Sequence, residues 1–485
     1  MKLKPALFLF HRWLGIGMCL LFALWFASGI VMMYVEYPEL TEEERLENLS
    51  LLNTTEVLLD PFQASKSISA DSVFTDVKLT SILARPAYQF VSVSGTLYFV
   101  FADTGERIAG IDETSALAAA SLSGFNKENS LPSYDKLIEL DQWTVSAALD
   151  RFRPLHKVSL NDKAGTVLYI SDKSGQVARD THRSERFWNW LGSTIHWIYP
   201  VQLRKNASLW NQVIVYVSLL GIVSVVTGGI IGLMRIRIRN PYQGKNPSPY
   251  KGWMKWHHIL GLCTLVFVST FIFSGLMSMG PWGVFNSATS ASPQIARYTG
   301  GNTLRLSSLP APDYSKLTQA VKEIEWHKIE NQAYYSIVRS LKQKEVGFAE
   351  GTGNNQSVLL LTKIAGAIPK LLPDAKLLSL DMIQQADNYY YSRHNRHRPF
   401  PVYRAKFDDS ESTWYHIDLA TGEIVNRVTD ASRRERWLYN GLHSLDFQFL
   451  VNKRPAWDLL LIALSLIGLG FSLTSVVIGW RRLLD

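Results

Sequence analysis

Four segments run for more than 20 residues without a charge: Trp13–Val35, Asn206–Met234, Ile259–Ile295 and Leu459–Trp480. An uncharged helix of about 20 residues spans the roughly 30 Å hydrocarbon core of a bilayer. A buried helix of a soluble protein is the plain alternative for one such run, but four with basic flanks read as membrane spans. The chain of 485 residues is 47% apolar, and its apolar residues are concentrated in these runs. The resulting divisions are a terminus and first span (1–35), an outer domain (36–205), a second span (206–235), a basic loop (236–255), a third span (256–280), a second outer domain (281–456), and a last span with the terminus (457–485).

Basic residues set the expected orientation. Lys2, Lys4 and Arg12 precede the first span, and Arg481 and Arg482 follow the last. The loop after the second span carries Arg235, Arg237, Arg239, Lys245, Lys251 and Lys255 and no acid. Short loops rich in Lys and Arg stay cytoplasmic, so both termini are expected inside and both large domains outside. The formal charge of +8 is in part this topology signal and is weak evidence for nucleic-acid binding. The first run is too long for a cleaved signal peptide and reads as a signal anchor. Cys19 and Cys263 both fall in spans and read as packing residues, leaving the outer domains without a disulfide.

The two halves match at a nearly constant offset, the mark of an internal tandem repeat. His11, Gly15, Ser28 and Gly29 return 246 residues later as His257, Gly261, Ser274 and Gly275. Gly175, Trp190, Leu191, His196, Trp210 and Gly221 return 247 later as Gly422, Trp437, Leu438, His443, Trp457 and Gly468. Each half is span, outer domain, span, and parallel halves suit a pseudo-two-fold axis along the membrane normal. The outer domains read as mixed α/β. Tyr88–Val93 and Thr96–Phe101 alternate as strands do, and Asp103-Thr104-Gly105, Lys173-Ser174-Gly175 and Ala420-Thr421-Gly422 read as hairpin turns. Asp135–Asp150 suggests helix, and the Ser/Thr/Asn-rich stretch from Phe285 to Leu309 suggests an outer loop.

Histidine in or beside a span is costly and marks function by default. A lone interfacial histidine hydrated at the headgroups is unremarkable, but these recur in pairs. His11 and His257 open spans one and three. His196 and His443 stand before spans two and four, in aromatic segments that either lie along the outer interface or dip between the spans. Two bis-histidine haem sites follow, one near each face, with His11/His257 and His196/His443 as axial ligands to iron. Filled axial positions favour electron transfer over oxygen chemistry. Gly15 and Gly261 lie one turn beyond His11 and His257, where a missing side chain leaves room for a flat macrocycle. Small-residue helix packing explains those glycines equally well. His258 is a competing ligand or a partner for a haem propionate; it diverges from His257 by about 100° around the helix.

The remaining histidines carry less. His394 and His397 lie in a basic cluster, Tyr391–Arg398, that reads as a solvated loop or an anion site. His156, His182, His327 and His416 read as surface or core residues. Trp143 and Tyr389-Tyr390-Tyr391 read as core aromatics ahead of a ligand surface. There is no C-x-x-C-H for covalent haem attachment, no G-x-G-x-x-G after a strand and no Walker motif. Electrons from inside must therefore come from a membrane quinol or a separate reductase.

The segments His11-Arg12-Trp13-Leu14-Gly15, Trp256-His257-His258-Ile259-Leu260-Gly261, Asn189–Trp197 and Trp437–Ser444 resemble the PepSY-associated transmembrane family. The resemblance covers nearly the whole chain, and the turns at Gly105 and Gly422 resemble those of PepSY modules. It implies a four-helix membrane bundle with two PepSY-like periplasmic domains, multi-pass in a bacterial inner membrane, with two b-type haems. Some members are di-haem reductases that act on ferric siderophores in the periplasm; others are known only as iron-regulated or PepSY proteins. The outer domains here are longer than in the shorter reductases. The function expected is electron transfer from the cytoplasmic side or the quinol pool to a periplasmic acceptor, a ferric chelate first among them. A PepSY binding or regulatory protein, and a transporter of iron, haem or chelate, are the alternatives.

Overall fold

The computed structural model describes residues 3–68, 73–314, 317, 319–349, 355–392 and 397–484. Two compact units emerge. One, the membrane unit, comprises Met1–Tyr37, Glu185–Asn286 and Ala431–Asp485. The other, the sheet unit, comprises Pro38–Ser184 and Ser287–Asp430.

Among the described residues, four helices in the membrane unit are long and apolar enough to cross a bilayer. They are α1 (Leu3–Met32), α2 (Ala207–Arg235), α3 (Gly252–Met277) and α4 (Ala456–Leu484). In hydrocarbon every backbone amide must be satisfied within the helix, which is why the uncharged runs fold this way. The third run is longer than its helix, which ends at Met277 before Gly280 adopts a left-handed φ of 53°. Each helix packs against two neighbours in the cyclic order α1, α2, α3, α4, so α1 and α3 lie diagonally opposite. Met18, Phe22 and Phe26 of α1 meet Val268 and Ile272 of α3 in the bundle core. Close approach relies on glycine: a Cβ at Gly468 would collide with the Phe26 ring. Cys19 is buried as expected, but Cys263 is exposed on the bundle surface and packs no core.

Among its described residues the sheet unit holds fifteen strands. The first half supplies β1 (Phe74–Ile82), β2 (Arg85–Ser92), β3 (Leu97–Phe101) and β4 (Arg107–Ile108), then β5 (Ser133–Ile138), β6 (Leu155–Ser159), β7 (Val167–Ser171) and β8 (Val177–Thr181). The second supplies β9 (Glu323–Ile329), β10 (Gln332–Ser340) and β11 (Gln343–Phe348), then β12 (Leu377–Ile383), β13 (Val402–Phe407), β14 (Trp414–Asp418) and β15 (Ile424–Val428). β5–β8 and β12–β15 form two four-stranded sheets. The third sheet is shared by both halves, in the order β11-β10-β9-β1-β2-β3-β4. Its seam is the antiparallel pair β1–β9, with Val77 opposite Trp326, Lys78 opposite Glu325 and Leu79 opposite Ile324. These pairs are symmetric about an offset of 247 residues, which carries Lys78 onto Glu325. Beside the seam, the wholly buried Glu323 carboxylate is paired with Arg45 and with Lys78 at 3.2 Å.

Gly105, Gly175 and Gly422 close their hairpins at φ 75°, 74° and 75°; only glycine takes that region without strain. Two sequence expectations are corrected. Asp135–Asp150 is not a helix: β5 covers its start and a 3₁₀ turn, Ala147–Phe152, its end. Between them the Asp141 side chain accepts from the Trp143 amide and the Thr144 hydroxyl, a local bond that competes with helix. Phe285–Leu309 is not all loop: Ala291–Thr299 is a helix, capped by Ser290 and ended by Gly300. Trp143 and Tyr390 are buried, as core aromatics should be.

Candidate functional site

The four repeat-related histidines meet in two pairs at opposite ends of the bundle. His11 on α1 and His257 on α3 have ring centres 6.5 Å apart. His196 and His443 have ring centres 6.1 Å apart. The second pair sits at the far end of α1, where His196 bonds Ser28. Seventeen residues separate His11 from Ser28, about 26 Å of helix.

The His196/His443 pair arrives on short segments. Ser193–His196 packs on α1 and Leu442–Ser444 on α3. A π-helical turn, Arg436–Gly441, precedes the second; such turns favour functional sites. Two residues after each histidine the chain turns sharply through a positive φ, 48° at Ile198 and 47° at Leu445. That region is unfavourable for any residue with a Cβ and worst for a branched one such as isoleucine. Gly192 makes the approach possible, because a Cβ there would lie 3.0 Å from Val31. The Trp25 indole donates to the His196 carbonyl at 2.8 Å and holds the segment to α1.

Each ring is held by Nδ1. His196 Nδ1 lies 3.1 Å from the Trp25 carbonyl and 3.1 Å from Ser28 Oγ. His443 Nδ1 lies 3.2 Å from the Phe271 carbonyl and 3.0 Å from Ser274 Oγ. A carbonyl only accepts, so Nδ1 carries the proton and the ring lone pair is on Nε2. His11 Nδ1 meets Thr227 Oγ1 at 3.2 Å, and that hydroxyl already donates to the Val223 carbonyl. His257 Nδ1 meets Thr474 Oγ1 at 3.3 Å and Ser475 Oγ at 3.1 Å, and Thr474 donates to the Phe471 carbonyl. The carbonyls fix this tautomer for His196 and His443, and the threonine contacts favour it for His11 and His257. Burial also pushes the pKa of His196, which lies outside the long helices, down to about 3, with His443 adding to the shift; the ring is neutral at pH 7.

A neutral imidazole that donates from one nitrogen and offers the other is the form in which histidine binds a metal. Metal–imidazole bonds are about 2 Å long and a ring centre lies about 1 Å behind its nitrogen, so one metal atom shared by two rings sets their centres about 6 Å apart. Both pairs have that spacing. No group of three or more His, Cys, Asp or Glu side chains converges among the described residues; each pair offers two imidazoles.

His258 belongs elsewhere. It is buried, with Nδ1 2.8 Å from Ser248 Oγ and Nε2 2.9 Å from the Gly232 carbonyl, so both nitrogens already have protein partners. The glycines also divide. A Cβ on Gly15 would meet nothing within 4 Å, whereas one on Gly261 would lie 3.0 Å from the Phe471 ring, which stacks on His257 at 5.1 Å. The glycines that touch the rings are others: Gly29 beside His196, Gly275 beside His443 and Gly228 beside His11. The matching of Ser28-Gly29 with Ser274-Gly275 was a signal for the first two. Gly228 matches Ser475 at the 247 offset, and this mismatch hid it. Among the remaining histidines His156 and His416 are buried in the sheet unit, and His394 lies outside the described residues.

No curated protein matches the chain. The family model for the PepSY-associated TM region matches residues 8–482, nearly the whole chain, and the protein belongs to that family.

Proposed function

We propose that the membrane unit is a di-haem b electron carrier that delivers electrons to a periplasmic acceptor, a ferric chelate first among them. The observation that carries this reading is the pair of ring spacings, 6.5 and 6.1 Å, between histidines whose Nδ1 atoms are all anchored. His11 and His257 would hold one haem and His196 and His443 the other. Haem iron supplies a one-electron couple whose potential the protein tunes through ligands, hydrogen bonds and burial. The protein's own part is positional. Hydroxyls and carbonyls aim the rings, and Phe22, Phe26, Phe267 and Phe271 fill the space between the two ends and exclude water.

The Nδ1 contacts recur at the repeat offsets, 246 for Ser28 and Ser274 and for Trp25 and Phe271, and 247 for Thr227 and Thr474. This supports reading the chain as a duplicated half with two equivalent ligand sets. The basic loop after α2 and the arginines ending α4 support cytoplasmic termini and a periplasmic sheet unit. Held by His11 and His257 or by His196 and His443, a haem would supply one-electron transfer to an outside acceptor rather than oxygen chemistry. Reducing Fe(III) to Fe(II) weakens hard-oxygen ligands, so one electron frees chelated iron.

The test is a reduced-minus-oxidised visible spectrum of the detergent-purified protein with a haemochrome assay. About two low-spin b haems per chain are expected. No haem after expression with haem supplied would sink the reading and leave a binding role for the sheet unit.

A further inference from the structure

In the sheet unit a cleft of about 440 Å³ opens beside the β2–β3 hairpin, within the range of small-molecule sites. Arg107, Arg151 and Lys173 line it, and no acidic residue does. All three cations are exposed, and none forms an ion pair among the described residues. The Lys173 ammonium lies 3.4 Å from the Arg151 carbonyl, and the Arg151 guanidinium lies over the Phe152 ring, 4.8 Å from its centre. The Arg107 guanidinium lies over the Tyr98 ring, 5.1 Å from its centre, and is held facing the cleft rather than free in solvent. Ser94 and Thr96 add hydroxyls, bonded to each other at 3.0 Å.

Like charges gathered in one concavity repel each other, and a cleft lined by one sign concentrates the opposite ion; Asp76 is close enough to Arg151 to feel its charge but does not line the cleft. A plain solvated surface would intersperse acids. A single-charge anion would leave two cations unmatched. Guanidinium forks pair with carboxylates through two hydrogen bonds at once. We infer that this cleft binds a small polycarboxylate, free or as its ferric complex. The binding itself does not need haem; its use as the electron-acceptor site rests on the function proposed above.

The experiment is calorimetric titration of the full-length protein with citrate, with ferric citrate and with inorganic phosphate, on haem-loaded and haem-free samples. The variant is Arg107→Gln/Arg151→Gln/Lys173→Gln, all surface positions, with its melting temperature checked against the parent. Citrate or its ferric complex should bind the parent in both samples, more tightly than phosphate and more weakly as salt rises. The variant should bind at least about tenfold more weakly, with its haem spectrum unchanged. The stronger of the two citrate forms identifies the natural source. Equal affinity in the variant, phosphate binding as tight as citrate, or no citrate heat at millimolar concentration would overturn the inference. Because haem is scored separately on the same samples, absence of haem with citrate binding intact would sink the carrier reading and leave this inference standing.

Discussion

Replacing Gly228 by alanine tests the proposed His11/His257 haem site through space rather than by deleting a ligand. A Cβ at this position would sit 2.7 Å from Cε1 of His11 and 3.3 Å from Nε2, whereas ordinary contact begins at 3.4 Å. The ring must therefore retreat by about 0.7 Å, and the push falls on its ligating edge. Metal–ligand distances tolerate about 0.2 Å, so the displacement exceeds what the bond allows. Gly228→Ala should convert the His11/His257 haem from low spin to a high-spin or sub-stoichiometric form. The His196/His443 haem, about 26 Å away along α1, should be untouched and serves as an internal control. Visible and electron paramagnetic resonance spectra on one sample read both. Ser475, at the equivalent place beside His257, already carries a side chain and bonds Nδ1 at 3.1 Å, so Ser475→Ala should leave the spectrum low-spin. If Gly228→Ala keeps two unperturbed low-spin haems, the assignment of His11 Nε2 as a ligand is wrong.

Two further outcomes are expected. Ser28→Ala or Ser274→Ala removes the hydroxyl partner of His196 or His443 but leaves the carbonyl contact. Haem affinity at that pair should fall by about tenfold, measured by haem titration of the haem-free protein, and an unchanged affinity would count against Nδ1 anchoring. The second concerns pH and the sheet seam. Burial would raise the pKa of Glu323, but Lys78 and Arg45 overcome it and hold the carboxyl at about 2, below its ordinary 4.5. A depressed folded-state pKa stabilises fully above pH 4.5 and is lost as pH falls toward 2, about 3 kcal/mol in all. His416, pushed down to about 3 by burial and then by Arg404, also loses stability below its ordinary 6.5. The difference between parent and Glu323→Gln therefore isolates the carboxylate. Glu323→Gln should melt earlier at pH 7 and lose less on acidification; parallel melting curves would refute the pairing.

The spans were legible because hydrocarbon imposes one solution on an uncharged run of this length. The histidine pairs were legible because Trp, His and Gly recur at a fixed offset, and matching residues on equivalent helices come to matching depths. The choice between His257 and His258 was not legible. It depends on Ser248 and the Gly232 carbonyl, which reach His258 from other segments. The threonines at 227 and 474 were hidden for the same reason: their role arises from α2 and α4 packing beside α1 and α3. Asp135–Asp150 misled because its apolar spacing fits a helix over a short window, while the Asp141 turn and the pairing of β5 with β6 decide the matter.

The seam between β1 and β9 ties the order of assembly to the order of synthesis. About 247 residues, two membrane-length helices and the basic loop between them separate the two strands. A ribosome that has made only the first half leaves β1 as an open sheet edge, with its amides and carbonyls available to any other strand. That edge closes only after α3 and the strands that follow it have been made. Contacts so distant in sequence form slowly, and the interval is one in which a nascent chain can pair with its neighbour instead of itself. Lys78 and Glu325, opposite each other at the centre of the seam, put opposite charges at the place where the correct partner must be told from a second copy of β1.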